Sequence, residues 1–337
     1  MMTKILNDTR VFAVNPNIDV QDVTFQNRFG FVLAGHLYKP LNFEEGNKYA
    51  AIVISGPFGA VKEQSSGLYS QTLAERGFVT LAFDQSTTGE SSGNVRNMAS
   101  PDIFTEDFSA AVDFIGMQDY VNREKIGALG ICGLGSHVLT AAAIDKRIKA
   151  VATSVMYDMG ESMWQGIDGS KTLKQQDIER DYLAEQRWHD AENNTHEVGP
   201  HELPFDENDQ PIHLTSILPD KLDEDADPVT TDFFHYYKER AFHPRSVNSN
   251  GAWAATSPWS YYNFSLQQKI SEIAPRPTLI VTGEKAHSRH MAEKSYEYLH
   301  EPKELVIVPN ATHVDLYDQM TLIPFDKFES FFKGNLK

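Results

Sequence analysis

The feature that most constrains this chain is a series of short, nearly continuous apolar runs. They are "YAAIVISG" (49–56), "FVTLAFD" (78–84), "KIGALGI" (125–131), "IKAVATS" (148–154), "PTLIVTG" (277–283) and "KELVIVP" (303–309). Apolar on both faces and short, such runs predict strands buried on both sides, as in a parallel sheet. Helical patterns separate most of them. "SSGLYSQTLAERG" closes on Gly77, a residue suited to a helix C-terminus, and "TEDFSAAVDFIGMQ" repeats apolar residues three and four apart. Two alternating runs come earlier, "VQDVTFQN" (20–27) and "FVLAGHLYKP" (31–40), separated by Arg28, Phe29 and Gly30. They predict an antiparallel hairpin at the sheet edge. The expected class is α/β, a mostly parallel central sheet flanked by helices.

Residues 156–264 break the alternation. They mix helical patterns ("TLKQQDIERDYLAEQRW"), an acidic, proline-bearing passage ("HEVGPHELPFDENDQPIH") and aromatic clusters ("TDFFHYYKERAF", "SPWSYYNF"). So long a structureless loop is improbable within a compact domain. The expectation is a core made of residues 1–155 and 265–337 carrying an inserted, largely helical cap over 156–264. Trp164, Trp188, Phe233, Tyr236, Tyr237 and Trp259 supply either an apolar pocket or the cap's own core.

The composition narrows the function. With 41% hydrophobic residues in 337, the chain has ample material for a core. A formal charge of -17 argues against nucleic acid or an anionic membrane as partner. A single cysteine excludes an intramolecular disulfide and a cysteine-rich zinc site. No run approaches the roughly 18 apolar residues of a membrane span. The opening "MMTKILNDTRVFAVNP" lacks an apolar stretch of signal-peptide length. A cytoplasmic protein acting on a small molecule is expected, and homo-oligomerisation is compatible with this composition.

The chemistry gathers at the ends of the apolar runs. Cys132 follows the strand ending at Ile131 and precedes "GLGSHVLTAAAI". That order predicts a sharp strand-to-helix turn, with Gly130, Gly133 and Gly135 giving the backbone freedom and close approach. At the amino end of the following helix, the dipole and free N–H groups favour thiolate. The competing reading is a small buried hydrophobe, which describes most free cysteines. His313, in "IVPNATHVDLYD" after the last strand, is placed at the carboxyl edge of the sheet, where sites in such folds form. Glu284, in "VTGEKAHSRHMAE", is the available carboxylate to orient that imidazole, and Asp158 competes for the role. In "ISGPFGAVKEQSSG" (54–67), Pro57 has no N–H, so Phe58 is the expected oxyanion donor beside the N–H of Gly133. Lys62 and Glu63 follow at once; Glu63 either serves the thiol and substrate or pairs internally with Lys62 or Arg96. Asp84, Gly89 and Arg96 are expected to brace these loops.

Together, "GPFGAVKEQSSG", "AFDQSTTGESSG", "GALGICGLGS", "GEKAHSRHMAE" and "ELVIVPNATHVDLYD", with the order nucleophile, acid, histidine, resemble a bacterial and fungal group of α/β-hydrolases. That group is similar to dienelactone hydrolases and polyketide transesterase-like proteins. The resemblance covers roughly residues 20–155 and 265–335. It implies a Cys132 nucleophile, a His313 base, oxyanion donors at Phe58 and Gly133, ester, lactone or thioester substrates, and no metal or organic cofactor. Acyl transfer by the same residues and a non-catalytic binding protein are the alternatives. The chain departs from the pattern twice. Leu134 stands where the turn usually has glycine, and Ala286 and His287 occupy the positions where the orienting carboxylate often lies, which leaves His287 near the site.

Overall fold

The computed structural model describes residues 3–4 and 8–337. Its strands are β1 (Thr3–Lys4), β2 (Val20–Gln26), β3 (Val32–Tyr38), β4 (Tyr49–Ser55), β5 (Val79–Phe83), β6 (Val121–Ile131), β7 (Ala150–Ser154), β8 (Val198–Gly199), β9 (Trp253–Ala254), β10 (Thr278–Gly283) and β11 (Lys303–Val308). One sheet runs β1-β2-β3-β5-β4-β6-β7-β10-β11. From β5 to β11 every pairing is parallel, whereas β1, β2 and β3 add antiparallel neighbours along one edge. The expected hairpin is β2–β3, in register from Val20 opposite Tyr38 to Gln26 opposite Val32. The fold class matches the one predicted from the alternating runs.

Burial explains the pattern. Every residue of β5, β7 and β10 is buried, so these strands have no solvent face to mark with polar residues. Helices α1 (Ser65–Glu75), α2 (Pro101–Gly116) and α3 (Leu134–Ile144) connect the central strands. After β4 the chain crosses to β5 on one side, and after β5 it returns to β6 on the other. This reversal opens a crevice at the carboxyl ends of β4 and β6, where loops leave in opposite directions.

The segment between β7 and β10 holds α4 (Met159–Gln165), α5 (Leu173–Asn193), α6 (Pro228–Phe234), α7 (Val247–Asn250) and α8 (Pro258–Tyr261), with β8 and β9 pairing as a small ribbon. Its buried residues Met163, Tyr236, Tyr237, Trp253 and Tyr261 join the same continuous core as the sheet. The chain ends with α9 (Arg289–Tyr298), α10 (Asp315–Asp318) and α11 (Phe325–Asn335). Among the described residues, no helix is long and apolar enough to cross a membrane.

Candidate active site

Cys132 sits between β6 and α3 with φ at 55°, in the left-handed region. Such a conformation costs a non-glycine residue about 1–3 kcal/mol and persists only where the surroundings hold it. Three backbone hydrogen bonds do so: Cys132 N–H donates to Ser154 O at 2.9 Å, and Cys132 O accepts from Gly135 N at 2.8 Å and Tyr157 N at 3.1 Å. The neighbouring glycines supply space rather than backbone freedom, because none of Gly130, Gly133 and Gly135 has positive φ. A Cβ on Gly130 would lie 2.4 Å from Leu134 O, and one on Gly135 would lie 2.5 Å from Met156 Cβ. Leu134 itself is accommodated as the first residue of α3.

The Cys132 sulfur lies against the backbone N–H groups of Gly133 and Phe58 and the hydroxyl of Tyr317. Burial nevertheless pushes the thiol up to about 11, past the lowering effect of those contacts. The expectation that the amino end of α3 favours thiolate is therefore corrected. At neutral pH the group is a thiol, because desolvation of the sulfur outweighs the dipole and donors.

Phe58 belongs to the loop leaving β4, and that loop is tied down on both sides. Asn248 Nδ2 donates to Phe58 O at 2.8 Å, and Ser246 Oγ donates to Gly59 O at 2.9 Å. Lys62 N–H donates to Asp84 Oδ1 at 2.7 Å. Lys62 and Glu63 are each 1% exposed. Lys62 Nζ lies 2.9 Å from Glu63 Oε1, 2.6 Å from Glu90 Oε2 and 3.4 Å from Asp84 Oδ2, while Arg245 reaches Glu63 at 2.6 Å. The internal-pairing reading of Glu63 therefore holds with Lys62, and with Arg245 in place of Arg96. Arg96 instead donates to the carbonyls of Ser91 and Gly89. Lys62 and Glu63 position the loop.

His313 is 1% exposed, in the turn between β11 and α10. Its Nδ1 pairs with Ser288 Oγ at 2.7 Å and its Nε2 with Tyr317 Oη at 2.9 Å. Burial, helped by the His287 ring at 4.7 Å between centroids, holds its pKa well below the usual value. Neither expected carboxylate reaches it. Glu284 is exposed and accepts from Asn310 N–H at 2.8 Å. Asp158 caps α4, accepting from Gly160 N at 3.1 Å and Glu161 N at 3.2 Å, with burial raising its carboxyl to about 6. The orienting partner is a serine hydroxyl, because the loop after β10 turns its only carboxylate outward and Ser288 inward. His287 stands beside the site, its Nε2 paired with the Tyr157 hydroxyl and burial lowering its pKa to about 4.

Cys132 opens onto a cavity of about 330 Å³ whose wall is mostly apolar, including Phe58, Met159, Ile167, Leu218 and Phe233. Of the aromatic residues singled out from the sequence, Phe233 and Tyr237 face it. Trp188 and Trp259 are exposed, Trp164 packs edge-on against Tyr262, and the buried Tyr236 hydroxyl accepts from Ser65 N–H. The cavity has a polar corner that sequence reasoning missed. Burial raises the Glu202 carboxyl to about 7, and His201 Nδ1 is buried with no hydrogen-bond partner among the described residues. Both come from the acidic passage, where nothing in the pattern separates them from solvated charges. Tyr317 was missed too. Its one signal was its spacing, four residues after His313, which brings the two to one side of a helical turn.

Comparison with known proteins agrees with this architecture. Residues 30–315 match the X-Pro dipeptidyl-peptidase (S15) family. The uncharacterized protein PA2218 of Pseudomonas aeruginosa is 51% identical over 328 residues, 97% of this chain and 84% of that protein. Its crystal structure superposes with a TM-score of 0.91, covering 99% of each chain. The polyketide transferase grgF of a Penicillium species is 25% identical over 303 residues, 87% of this chain and 89% of that protein. The crystal structure of the α/β hydrolase GrgF from Penicillium sp. sh18 superposes with a TM-score of 0.75 at 20% identity, covering 94% of this chain and 99% of that one.

Proposed function

The chain belongs to the X-Pro dipeptidyl-peptidase (S15) family of α/β-hydrolases, and from that premise we propose that it cleaves small carboxylic ester, lactone or thioester bonds through a thioacyl-enzyme on Cys132. One observation carries this reading: the Cys132 sulfur lies against two backbone N–H groups, those of Phe58 and Gly133, at the wall of an apolar cavity. In this reading those donors receive the oxyanion formed when the sulfur attacks a carbonyl carbon, each contributing about 3 kcal/mol in comparable sites.

His313 takes the thiol proton, the C–S bond forms, and the carbonyl π pair moves onto oxygen. On collapse the leaving group departs with a proton from the imidazolium, and water then cleaves the thioacyl-enzyme. Ser288 holds the imidazole in place of a carboxylate and stabilises the imidazolium less than a charge would. This supports substrates with good leaving groups over amides, whose nitrogen departs only when protonated. Segment 156–264 acts as the cap that supplies the acyl pocket, through Phe233 and Tyr237.

A second reading is transfer of the acyl group to an alcohol, amine or thiol. The apolar cavity favours it, because such a lining holds hydrolytic water poorly, and one relative is named as a polyketide transferase.

The test is intact-mass spectrometry after mixing with a panel of p-nitrophenyl acyl esters, beside Cys132→Ala. An acyl adduct with nitrophenol release, both lost in Cys132→Ala, is expected. Added acceptors then separate hydrolysis from transfer by the products formed. Turnover that survives Cys132→Ala would refute the nucleophile. Absence of any adduct across the panel would favour a binding protein that retains the fold.

A further inference from the structure

We propose that the Tyr317 hydroxyl is a catalytic proton relay, carrying the proton between Cys132 and His313. The inference rests on Cys132 acting as the nucleophile. Its basis is the order of the three groups. Tyr317 Oη is 2.9 Å from His313 Nε2 and lies against the Cys132 sulfur, with which it shares the cavity wall; among the described residues the groups against the sulfur are this hydroxyl and the N–H groups of Gly133 and Phe58, not the imidazole. A phenol hydroxyl donates one hydrogen bond while accepting another, which is what a relay between two sites requires.

The cavity wall sharpens the assignment. Cys132 and Tyr317 both line it, whereas His313 does not. A leaving group held in the cavity therefore meets the hydroxyl of Tyr317 before it meets the imidazole. The phenol ring is fixed, being 0% exposed and flanked by the rings of Tyr236 at 5.1 Å and Phe233 and Tyr237 at 6.3 Å. Its neighbours with titratable groups are Cys132, Tyr157, Tyr236, Tyr237 and His313, and burial among them keeps the phenol protonated far into the alkaline range. It thus enters and leaves each step as a neutral O–H.

The transfer balances. As the C–S bond forms, the S–H proton passes to Oη, and the proton already on Oη passes to Nε2. The products are the tetrahedral oxyanion, a neutral phenol and an imidazolium whose Nδ1–H donates to Ser288 Oγ. On collapse the flow reverses: Nε2 returns its proton to Oη, and Oη gives its own to the departing oxygen or sulfur.

The experiment measures acylation of Cys132 by a p-nitrophenyl ester in the pre-steady state, in mixtures of H2O and D2O. The wild type should show a curved dependence on deuterium fraction, the mark of two protons in flight. Tyr317→Phe should acylate about 100-fold slower or worse, as for loss of a general acid–base group, with KM little changed and the curvature gone. Tyr317→Phe/His313→Ala should be within about threefold of the slower single variant, since both serve one chain of transfer. A linear dependence in the wild type would overturn the relay without recourse to any variant. So would acylation of Tyr317→Phe within about threefold of wild type. If the wild type forms no adduct at all, the nucleophile assignment falls and takes the relay with it; an adduct with an indifferent Tyr317→Phe overturns the relay alone.

Discussion

Replacing Lys62 by methionine removes the ammonium that faces Glu63, Asp84 and Glu90 beneath the loop carrying Phe58. Methionine fills nearly the same volume, so the change is chiefly one of charge. Glu63 and Asp84 are each 1% exposed, and without Lys62 Arg245 is the one remaining ion-pair partner of Glu63 among the described residues. Breaking a buried pair by removing one partner costs about 3–5 kcal/mol, because the remaining charge is left uncompensated. Unfolding entropy of about 2.1 cal/mol/K per residue gives about 0.7 kcal/mol/K for this chain, so Tm should fall by about 4–7 °C at pH 7. The pH dependence carries the sign. In the wild type, burial pushes the Glu63 carboxyl up, but the Lys62 ammonium beside it prevails and holds it below the usual range. That stabilisation is present above the unfolded pKa of about 4.3 and is lost as pH falls toward the folded value. In Lys62→Met the Glu63 carboxyl loses that hold and rises, that of Asp84, already raised by burial, rises further, and both take up protons in the folded state first. The gap in Tm between variant and wild type should therefore narrow from pH 8 to pH 5. Scanning calorimetry across that range decides it. A Tm within 1 °C of wild type at pH 7, or a gap that widens on acidification, would refute the reasoning.

The site yields further expectations. Glu284→Gln should leave esterase turnover within about twofold, since among the described residues its carboxylate accepts a hydrogen bond from Asn310 N–H alone, whereas Ser288→Ala should lower kcat by about tenfold or more by freeing the His313 ring; steady-state kinetics of the pair checks this. Iodoacetamide should alkylate Cys132 slowly, because a thiol at about 11 is ionised at pH 8 to only about 0.1%, against about a quarter for an ordinary one. The rate, followed by intact mass, should rise about tenfold per pH unit between pH 7 and 9, and a plateau near neutrality would contradict the buried thiol. Glu202→Gln should raise Tm at pH 8 and leave it unchanged at pH 4. The folded carboxyl, raised by burial to about 7, is fully favourable only below the unfolded pKa, and its contribution is lost as pH rises through 7. The gain, about 1–3 kcal/mol at pH 8, is read by thermal melts at both pH values.

Much of the scaffold was legible because local patterns decide it. An all-apolar run such as 277–283 has few alternatives to a strand buried on both faces, and β10 is buried throughout. The turn at Cys132 was legible for a steric reason: three glycines around one residue between strand and helix leave room for close backbone approach, and the contacts at Gly130 and Gly135 use it. That the Phe58 N–H turns toward Cys132 was legible by elimination, because Pro57 has no N–H to offer. Ser288 was missed because serine carries no signal of a partner to histidine, while Glu284, four residues earlier, carries a strong one and points away.

The sequence by itself determined the order of the sheet's strands and helices, the sharp turn at Cys132, and the presence of Cys132, His313 and the Phe58 loop at one edge of the sheet. These follow from interactions between residues close in the chain or from periodicity along it. Only the tertiary structure decided which groups meet: Tyr317 against both the sulfur and the imidazole, Ser288 in place of a carboxylate, Lys62 and Glu63 sealed in an ion network with Arg245, Glu202 and His201 on the cavity wall. The physical reason is that side-chain direction and desolvation depend on what the rest of the chain packs against them. A carboxylate has the same letter whether water holds it, as at Glu284, or burial raises it to about 7, as at Glu202.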